Sequence, residues 1–326
     1  MRIDRRLLGW GAFLIIAGAI PLVVRAGAIQ ADSLSGWPSL WPLLLVGAGL
    51  GLILRRTPFH LLGGTISVLT AAVMVGGLLA SGFDGFPAFG ACGGNSGATA
   101  FPDRNGTLED GSAIRVEFNC GRLNIGTADG NGWSFTGSGP SGKQPDVEAD
   151  ASNVRLAPPP ETFGFTDPAS TWNVTIPRGP SVSLSVTLNA GDGKLDLSGA
   201  NVDRFSMTLN AGSMTADMAN AASVTDINAT INAGSATLSL PAGLLSTSSL
   251  TLNAGSLKAC VPADTGMHIS WGGALASNNF DSVGLVRVDD NHWTTSNVSS
   301  AAHVVDLNVS ANAGSFTLVI GGTCHA

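Results

Sequence analysis

The sequence predicts an all-β domain, built as a β-solenoid of 21–22-residue rungs, on an N-terminal bundle of three transmembrane α-helices. Three observations support this prediction. Nearly every long uncharged run lies within residues 1–81. The remainder is rich in Gly, Ser, Thr, Asn and Asp, and it alternates apolar with polar residues over short segments. In this second part the tripeptide Asn-Ala-Gly recurs at a nearly constant spacing.

Three apolar stretches approach the length needed to cross a membrane, namely residues 7–24, 38–54 and 60–80. A hydrocarbon core of about 30 Å requires about 20 residues of helix. The second stretch has the shortest apolar core, residues 42–54, so two complete spans instead of three remain an alternative. A cleavable signal peptide is the alternative for residues 1–26, but the two further apolar segments favour retained helices.

Basic residues flank these spans unevenly. Three precede the first span and two lie between the second and third: Arg2, Arg5, Arg6, Arg55 and Arg56. The loop between the first and second spans has only Arg25. Because cytoplasmic loops are enriched in Lys and Arg, the N-terminus is predicted inside a bacterial cytoplasmic membrane and the C-terminal domain outside. If the second stretch only dips into the bilayer, the domain faces the cytoplasm instead.

The charge of the chain divides between the same two regions. Residues 1–81 carry six Arg and two Asp, whereas the rest holds ten Lys or Arg against 21 Asp or Glu. The second region therefore has a net charge of −11 within the total of −7. Such an acidic domain repels the phosphates of nucleic acid at long range. The lipid bilayer is a predicted partner, and nucleic acid is not.

The region after the helices is predicted to begin with a tether. Residues 82–112 are dense in Gly, Ala, Pro and Ser and read as a linker with turns. Short alternating strands begin at Ala113, so the β-domain is predicted over residues 113–326. A Pro-rich insertion near residues 140–178, containing Pro158-Pro159-Pro160, is expected as a loop of about 40 residues.

The repeat defines the predicted corners. The first four Asn-Ala-Gly copies begin 21, 22 and 21 residues apart, and a degenerate copy, Asn119-Cys120-Gly121, precedes them. Gly supplies the positive φ of a tight corner, and Asn tolerates turn conformations. The predicted corner residues are Asn189, Gly191, Asn210, Gly212, Asn232, Gly234, Asn253, Gly255, Asn312 and Gly314.

Equal spacing allows these corners to stack. Each rung would then pair with the next at about 4.8 Å, and the Asn side chains would form a ladder. Alternation places one set of apolar residues on the inner side of the strands: Leu184, Val186, Leu188, Met207, Leu209, Ile231, Leu238, Leu240, Leu252 and Leu257. An antiparallel sandwich explains the alternation equally well but not the period, so the solenoid is favoured.

Two stretches resemble known families. The run WPSLWPLLLVGAGLGLILRR resembles the transmembrane region of LiaI- and LiaF-type envelope-stress proteins. The segments GMHISWGGALASNNF, NHWTTSN and VVDLNVSANAGSFTLVI resemble the C-terminal domain of LiaF-type proteins and the related putative-adhesin, toast-rack-type β-solenoids. The resemblance implies a toast-rack fold and a membrane histidine kinase as partner. The third apolar span and the Pro-rich insertion depart from the simple LiaF-type pattern.

No catalytic, cofactor-binding or metal-binding residue is predicted. The five His are scattered, and no nucleophile elbow, phosphate loop or dinucleotide fingerprint occurs in a suitable context. Gly191-Asp192-Gly193 is similar to calcium-binding nonapeptide repeats, but later copies lack the Asp. We therefore expect a protein that is not an enzyme.

Four cysteines follow the last predicted span: Cys92, Cys120, Cys260 and Cys324. An even number in an oxidising compartment predicts disulfides. Sequence order favours Cys92 with Cys120 and Cys260 with Cys324, although three connectivities exist. Lipidation of Cys92, after Phe89-Gly90-Ala91, is a weaker alternative.

Two functional classes follow from the sequence. In the first, the protein is a cell-envelope stress sensor or regulatory accessory whose helices bind a membrane histidine kinase or another envelope protein. In the second, the solenoid is a structural or adhesive surface module and the helices only anchor it. Self-association is a further expected contact in either class.

Overall fold

The computed structural model describes residues 92, 98–140, 144–159, 169–241, 247–321 and 324. The chain divides into two units, Met1–Ala91 and Cys92–Ala326, and the described residues all belong to the second. The predicted spans 7–24, 38–54 and 60–80 lie outside the described residues. Within those residues, no helix has the length and apolar character that crossing a membrane requires.

The described part of the chain is all-β, as predicted, with one short 3-10 helix at Phe280–Val283. Its eighteen strands belong to one hydrogen-bonded sheet. In chain order they are β1 (Ala98–Ala100), β2 (Arg104–Thr107), β3 (Ser112–Ala128), β4 (Gly132–Pro140), β5 (Asp146–Ala149), β6 (Asn153–Ala157), β7 (Ser170–Pro177), β8 (Ser181–Asp196), β9 (Asn201–Leu209), β10 (Ser213–Asp217), β11 (Ser223–Ile231), β12 (Ser235–Ser239), β13 (Thr247–Leu252), β14 (Ser256–Val261), β15 (Gly266–Ser277), β16 (Val286–Arg287), β17 (His292–Thr294) and β18 (Val304–Ile320).

The repeat region forms rungs that pair in parallel and in register. In the first ladder, the N-terminal half of β8 pairs with β9, β9 with β11, and β11 with β13. In the second ladder, the C-terminal half of β8 pairs with β10, β10 with β12, and β12 with β14. Each rung therefore contributes two strand segments joined at a corner. The 21–22-residue period of the sequence is the length of one such rung.

The two ends of the stack do not follow chain order. At one end, β3 lies between β8 and the outermost rung, which is formed by β6 and β7. At the other end, β18 lies between the rung of β13 and β14 and the last parallel strand, β15. The short strand β17 pairs with β15 in antiparallel fashion. Strands β15, β16 and β17 come between β14 and β18 in the chain but not in the stack. Asn312 therefore follows Asn253 by 59 residues and still occupies the neighbouring rung.

One apolar core lies between the two ladders. Every apolar residue that alternation placed inside is buried: Leu184, Val186, Leu188, Met207, Leu209, Ile231, Leu238, Leu240, Leu252 and Leu257. Larger side chains such as Phe118 and Phe316 extend the same core towards the ends of the stack. Because burial repeats from rung to rung, the hydrophobic effect stabilises the stack along its whole length.

The prediction of a loop of about 40 residues near 140–178 is wrong for much of its length. Strands β5, β6 and β7 lie in this segment, and β6 and β7 form the outermost rung against β3. The physical reason is alternation over short segments, which buries Val154 and Leu156 in β6 and Trp172, Val174 and Ile176 in β7. The Pro run between β6 and β7 obscures this pattern in the sequence.

The predicted tether also ends earlier than expected. Strands β1 and β2 pair with β4 in antiparallel fashion, although both fall within residues 82–112. Phe101 and Leu108 are buried, at 5% and 2% exposure. These two side chains anchor a Gly-rich segment, so the folded domain includes residues 98–112.

Candidate functional site

The predicted corners form one edge of the stack. Gly191, Gly212, Gly234, Gly255 and Gly314 have φ between 104° and 117°, a region that residues with side chains rarely adopt. Each lies directly on the corner Gly of the neighbouring rung. A Cβ atom on Gly234 would overlap the carbonyl oxygen of Gly212 and lie 2.9 Å from its backbone nitrogen. The corner glycines thus allow both the turn and the close stacking.

The corner asparagines form a continuous ladder of side-chain hydrogen bonds. The Nδ2 group of each Asn donates to Oδ1 of the Asn in the neighbouring rung. These bonds join Asn189 to Asn119 at 2.8 Å, Asn210 to Asn189 at 2.6 Å, Asn232 to Asn210 at 2.6 Å, Asn253 to Asn232 at 2.7 Å, and Asn312 to Asn253 at 2.7 Å. All donors point the same way along the stack, so the hydrogen bonds of the row run in one direction, from Asn312 to Asn119.

The outward face of the first ladder carries an uncharged array of side chains. Five rungs share the pattern Ser or Asn, then Thr or Ser, then Asn, at alternate positions. We name these fifteen residues the hydroxyl–amide array: Ser185, Thr187, Asn189, Ser206, Thr208, Asn210, Asn228, Thr230, Asn232, Ser249, Thr251, Asn253, Asn308, Ser310 and Asn312. All are exposed or half-exposed. Sequence reasoning identified only the Asn column, although the recurring pattern of three was present in the sequence.

Both predicted cysteine pairs are joined. Cys92 bonds to Cys120, and Cys260 bonds to Cys324. Cys120 occupies the middle position of the degenerate corner, opposite Ala190 of the next rung. Cys260 lies near the end of β14, and Cys324 follows β18. Their bond therefore fastens the chain after β18 to the neighbouring strand β14. One disulfide therefore closes each end of the domain.

The edge opposite the corners has its own cross-link, which sequence reasoning missed. The Arg178 guanidinium donates from Nε to Thr127 Oγ1 at 2.9 Å and to the Ser198 carbonyl at 3.0 Å. It also contacts Asp129 at 3.0 Å. Hydrogen bonds from Ser198, first its hydroxyl and then its backbone N–H, lower the pKa of Asp196. These groups connect three successive turns on this edge.

A charged cleft of about 450 Å³ lies beside β3, β5 and β6. The Arg155 guanidinium reaches Glu117 at 3.7 Å, Asp146 at 3.8 Å and Glu148 at 3.8 Å. All four side chains are substantially exposed, so these ion pairs contribute little to stability. The lining of the cleft carries two guanidinium groups, from Arg115 and Arg155, and two carboxylates, from Glu148 and Asp150, so it has no net positive charge to favour anions.

The far end of the stack is closed by a loop after β15. The side-chain amide of Asn279 donates to the Leu318 carbonyl at 2.9 Å and accepts from the Leu318 N–H at 2.8 Å. It thereby replaces a missing strand along β18. Behind it, Phe280 packs against Trp271 and Phe316, with ring centroids 5.5 and 5.7 Å away. No spacing in the sequence marks Asn279 for this role.

A short acidic turn precedes β17. Asp289 accepts from the Asn291 N–H at 2.9 Å and contacts His292 Nδ1 at 2.8 Å. The backbone N–H of Asn291, followed by the His292 ring, lowers the pKa of Asp289. Both side chains are exposed. Among the described residues, no group of three His, Cys, Asp or Glu side chains is arranged to hold a metal ion.

Comparison with known proteins concerns the β-domain. A family model described as the N-terminal domain of toast_rack, DUF2154, matches residues 111–240. No curated protein matches the chain. A solved structure of a putative cell adhesion protein from Clostridium sporogenes is similar at 14% identity and a TM-score of 0.46, over 67% of this chain and 99% of its own.

A putative adhesin from Bacteroides fragilis is similar at 11% identity and a TM-score of 0.29, over 69% of this chain and 99% of its own. A further putative adhesin, from Parabacteroides merdae, is similar at 10% identity and a TM-score of 0.22, over 71% of this chain and 100% of its own. The family match covers the strands from β3 to β12. Residues 111–240 are thus similar to the N-terminal domain of toast_rack.

Proposed function

We propose that this protein is a membrane-anchored β-solenoid that acts outside the cytoplasm as a non-enzymatic cell-surface module, structural or adhesive. The observation that carries the proposal is the in-register parallel stack that runs from β6 and β7 to β15. In such a stack each rung contacts only its neighbours, and side chains repeat in long rows. Long repeated rows suit a protein that holds an extended partner.

The cysteines support a position outside the cytoplasm. Among the described residues none is a free cysteine, and the two disulfides join strands or segments at opposite ends of the domain. Structural disulfides persist in oxidising compartments and are rare in the cytosol. This is the location that the distribution of Arg residues around the predicted spans also favours.

The anchor in this proposal is the predicted helices at 7–24, 38–54 and 60–80. They would place the N-terminus inside and the β-domain outside the cytoplasmic membrane of a bacterium, with the lipid bilayer as their partner. The location is tested with reporters that are active only outside the cytoplasm. A fusion after Ala326 should be active and a fusion near Thr57 inactive; the reverse pattern would rule out a surface role.

The role itself is tested by removing the gene and restoring it. Cells without the protein should attach less to a surface or to one another, and the wild-type chain should restore attachment. A chain carrying Gly234→Val, which disrupts a corner in the middle of the stack, should not restore it at equal abundance. Unchanged attachment in the deletion strain, under conditions where the protein is expressed, would contradict an adhesive role.

A second candidate is a regulatory accessory of envelope-stress signalling. It is favoured by the resemblance of the WPSLWPLLLVGAGLGLILRR segment to LiaF-type transmembrane regions. In this role the helices bind a membrane histidine kinase or another envelope protein, and self-association of the β-domain would change that contact. Cross-linking in intact cells, followed by co-purification of a kinase with the full chain, is the expected result. If no kinase co-purifies and the deletion strain has a normal stress response, the regulatory role is excluded and the surface module is the remaining proposal.

A further inference from the structure

We propose that the hydroxyl–amide array is a binding surface for a neutral polysaccharide. In this arrangement the glycan chain runs along the stack axis, across the strands, with about one sugar residue for each rung. The inference rests on the proposed function only in one respect: a surface module outside the cytoplasm would meet such a polymer. The chemistry of the binding face is argued independently from the residues of the array.

Charge selects the class of ligand. None of the fifteen positions is charged. At the margin of the array, Arg204 and Asp226 pair with each other at 3.2 Å. The region after residue 81 has a net charge of −11, so it repels nucleic acid and acidic polymers. A hydroxyl-rich polymer without charge meets no such repulsion.

The hydroxyls of the array are available to a ligand, whereas Asn308 Oδ1 accepts from Ser270 Oγ at 2.6 Å. Eight of its residues are Ser or Thr, and no hydrogen bond joins their hydroxyls to another group in the described part of the chain. A hydroxyl both donates and accepts, as sugar hydroxyls do. The five ladder residues within the array each use one side-chain N–H to reach a neighbour, and the second N–H has no partner in the described part of the chain: Asn189, Asn210, Asn232, Asn253 and Asn312. The array therefore offers donors and acceptors in rows.

The spacing of the array favours an extended, repeating ligand. Neighbouring rungs are about 4.8 Å apart, and alternate positions along one strand are about 6.7 Å apart. The rung repeat is close to the length of one sugar residue in an extended β-linked glycan, so each sugar would meet an equivalent set of side chains. Because hydrogen bonds to the neighbouring rungs hold every strand, little order has to be created on binding.

The test uses the purified full chain in detergent, so its result does not depend on where the protein resides in the cell. The probes are insoluble β-1,4-glucan and chitin, with alginate as an anionic polymer, and the measurement is co-sedimentation. The variant Thr208→Val, Thr230→Val and Thr251→Val removes three adjacent hydroxyls and keeps the β-branched shape. The matched control, Thr215→Val, Thr237→Val and Thr317→Val, makes the same change on outward positions of the second ladder.

We expect binding to at least one neutral polymer and none to alginate. The array variant should bind at least tenfold more weakly, while the control variant binds like the wild type and both melt at the wild-type temperature. Three results would each overturn the proposal: no retention on either neutral polymer, equal binding by the array and control variants, or preference for alginate. Failure here, with reporters still active outside the cytoplasm, would remove the ligand and leave the surface module intact.

Discussion

Gly234 lies directly on Gly212 of the neighbouring rung, and no space for a side chain separates them. The Gly212 carbonyl oxygen occupies the position that a Cβ atom on Gly234 would need, and φ of Gly234 is 114°. Two independent requirements, backbone conformation and close stacking, therefore select glycine at the same position. The same relationship recurs at Gly255 upon Gly234 and at Gly314 upon Gly255.

The first prediction concerns this corner. Gly234→Val should lower the free energy of unfolding by about 1–3 kcal/mol from backbone strain alone, with a further loss from overlap with the adjacent rung. Gly126→Val is the control, because Gly126 has ordinary φ and, within the described part of the chain, no atom within 4 Å of its Cβ position. Gly111→Val separates the two causes, since Gly111 has φ of 79° and open space. Denaturant unfolding should show the largest loss of stability for Gly234→Val, a smaller loss for Gly111→Val and the smallest for Gly126→Val. Equal stability of the Gly234 and Gly126 variants would contradict stacked corners.

The second prediction concerns the Asn ladder. Asn232 donates to Asn210 and accepts from Asn253, so Asn232→Asp brings a carboxylate against the Asn210 oxygen. Only the protonated acid can donate there, so the folded state raises the pKa of the new carboxyl. The penalty is therefore fully present at pH values above that raised pKa, declines as the pH falls below it, and is gone once the pH is below the pKa of the carboxyl in the unfolded chain. Thermal melts of the variant should approach those of the wild type on acidification, and a constant difference from pH 7 to pH 3 would exclude the mechanism.

A third prediction addresses the disulfide at the end of the stack. Replacing Cys260 and Cys324 together with Ala should cost about 2–4 kcal/mol, because the bridge closes a long loop in the unfolded chain. The pair is separated by 64 residues, against 28 for Cys92 and Cys120. Thiol labelling of the denatured, non-reduced wild type should find essentially no free thiol. Four labelled thiols would indicate a reducing compartment.

The fourth prediction concerns one polar side chain in the core. Ser248 is fully buried, at 0% exposure, and its hydroxyl has no hydrogen-bond partner among the residues that the structure describes. It lies between Ile227 and Leu307 of the neighbouring rungs. Ser248→Ala removes an unpaired hydroxyl, which costs about 1–3 kcal/mol when buried, so stability should rise. Ser249→Ala, at an exposed position next to it, serves as the control. A loss of stability at Ser248 would indicate a partner such as a bound water.

The repeated middle of the domain was predictable because its information is local. Alternation and the spacing of Asn-Ala-Gly determine which side chains face inward. The ten residues predicted to face inward, the first of which is Leu184 and the last Leu257, are all buried. Gly121, in the degenerate copy, has φ of 121° and takes the same place as its successors. The array on the outer face follows from the same period, but it becomes evident only when adjacent rungs are aligned.

The ends were harder to predict because their pairing is not local. The position of β18 between β14 and β15 depends on contacts across long sequence separations, and no residue near Val304 specifies them. Phe101 and Trp172 are buried in segments that lie next to runs of Gly and Pro, and those runs obscure the apolar alternation. Asn279 replaces a strand with one side-chain amide, which no periodicity can reveal.

The bond between Cys92 and Cys120 also determines how the domain would carry a mechanical load. A tension applied through the chain before Cys92 passes directly to Cys120 and bypasses the 28-residue interval between them. Strands β1 and β2 lie within that interval, so they would bear none of the force. The force enters β3, which hydrogen-bonds to β8 on one side and to β6 and β7 on the other. Extraction of β3 would require breaking the hydrogen bonds on both sides together, so this covalent link makes an inner strand of the stack, rather than β1 or β2, the point of attachment.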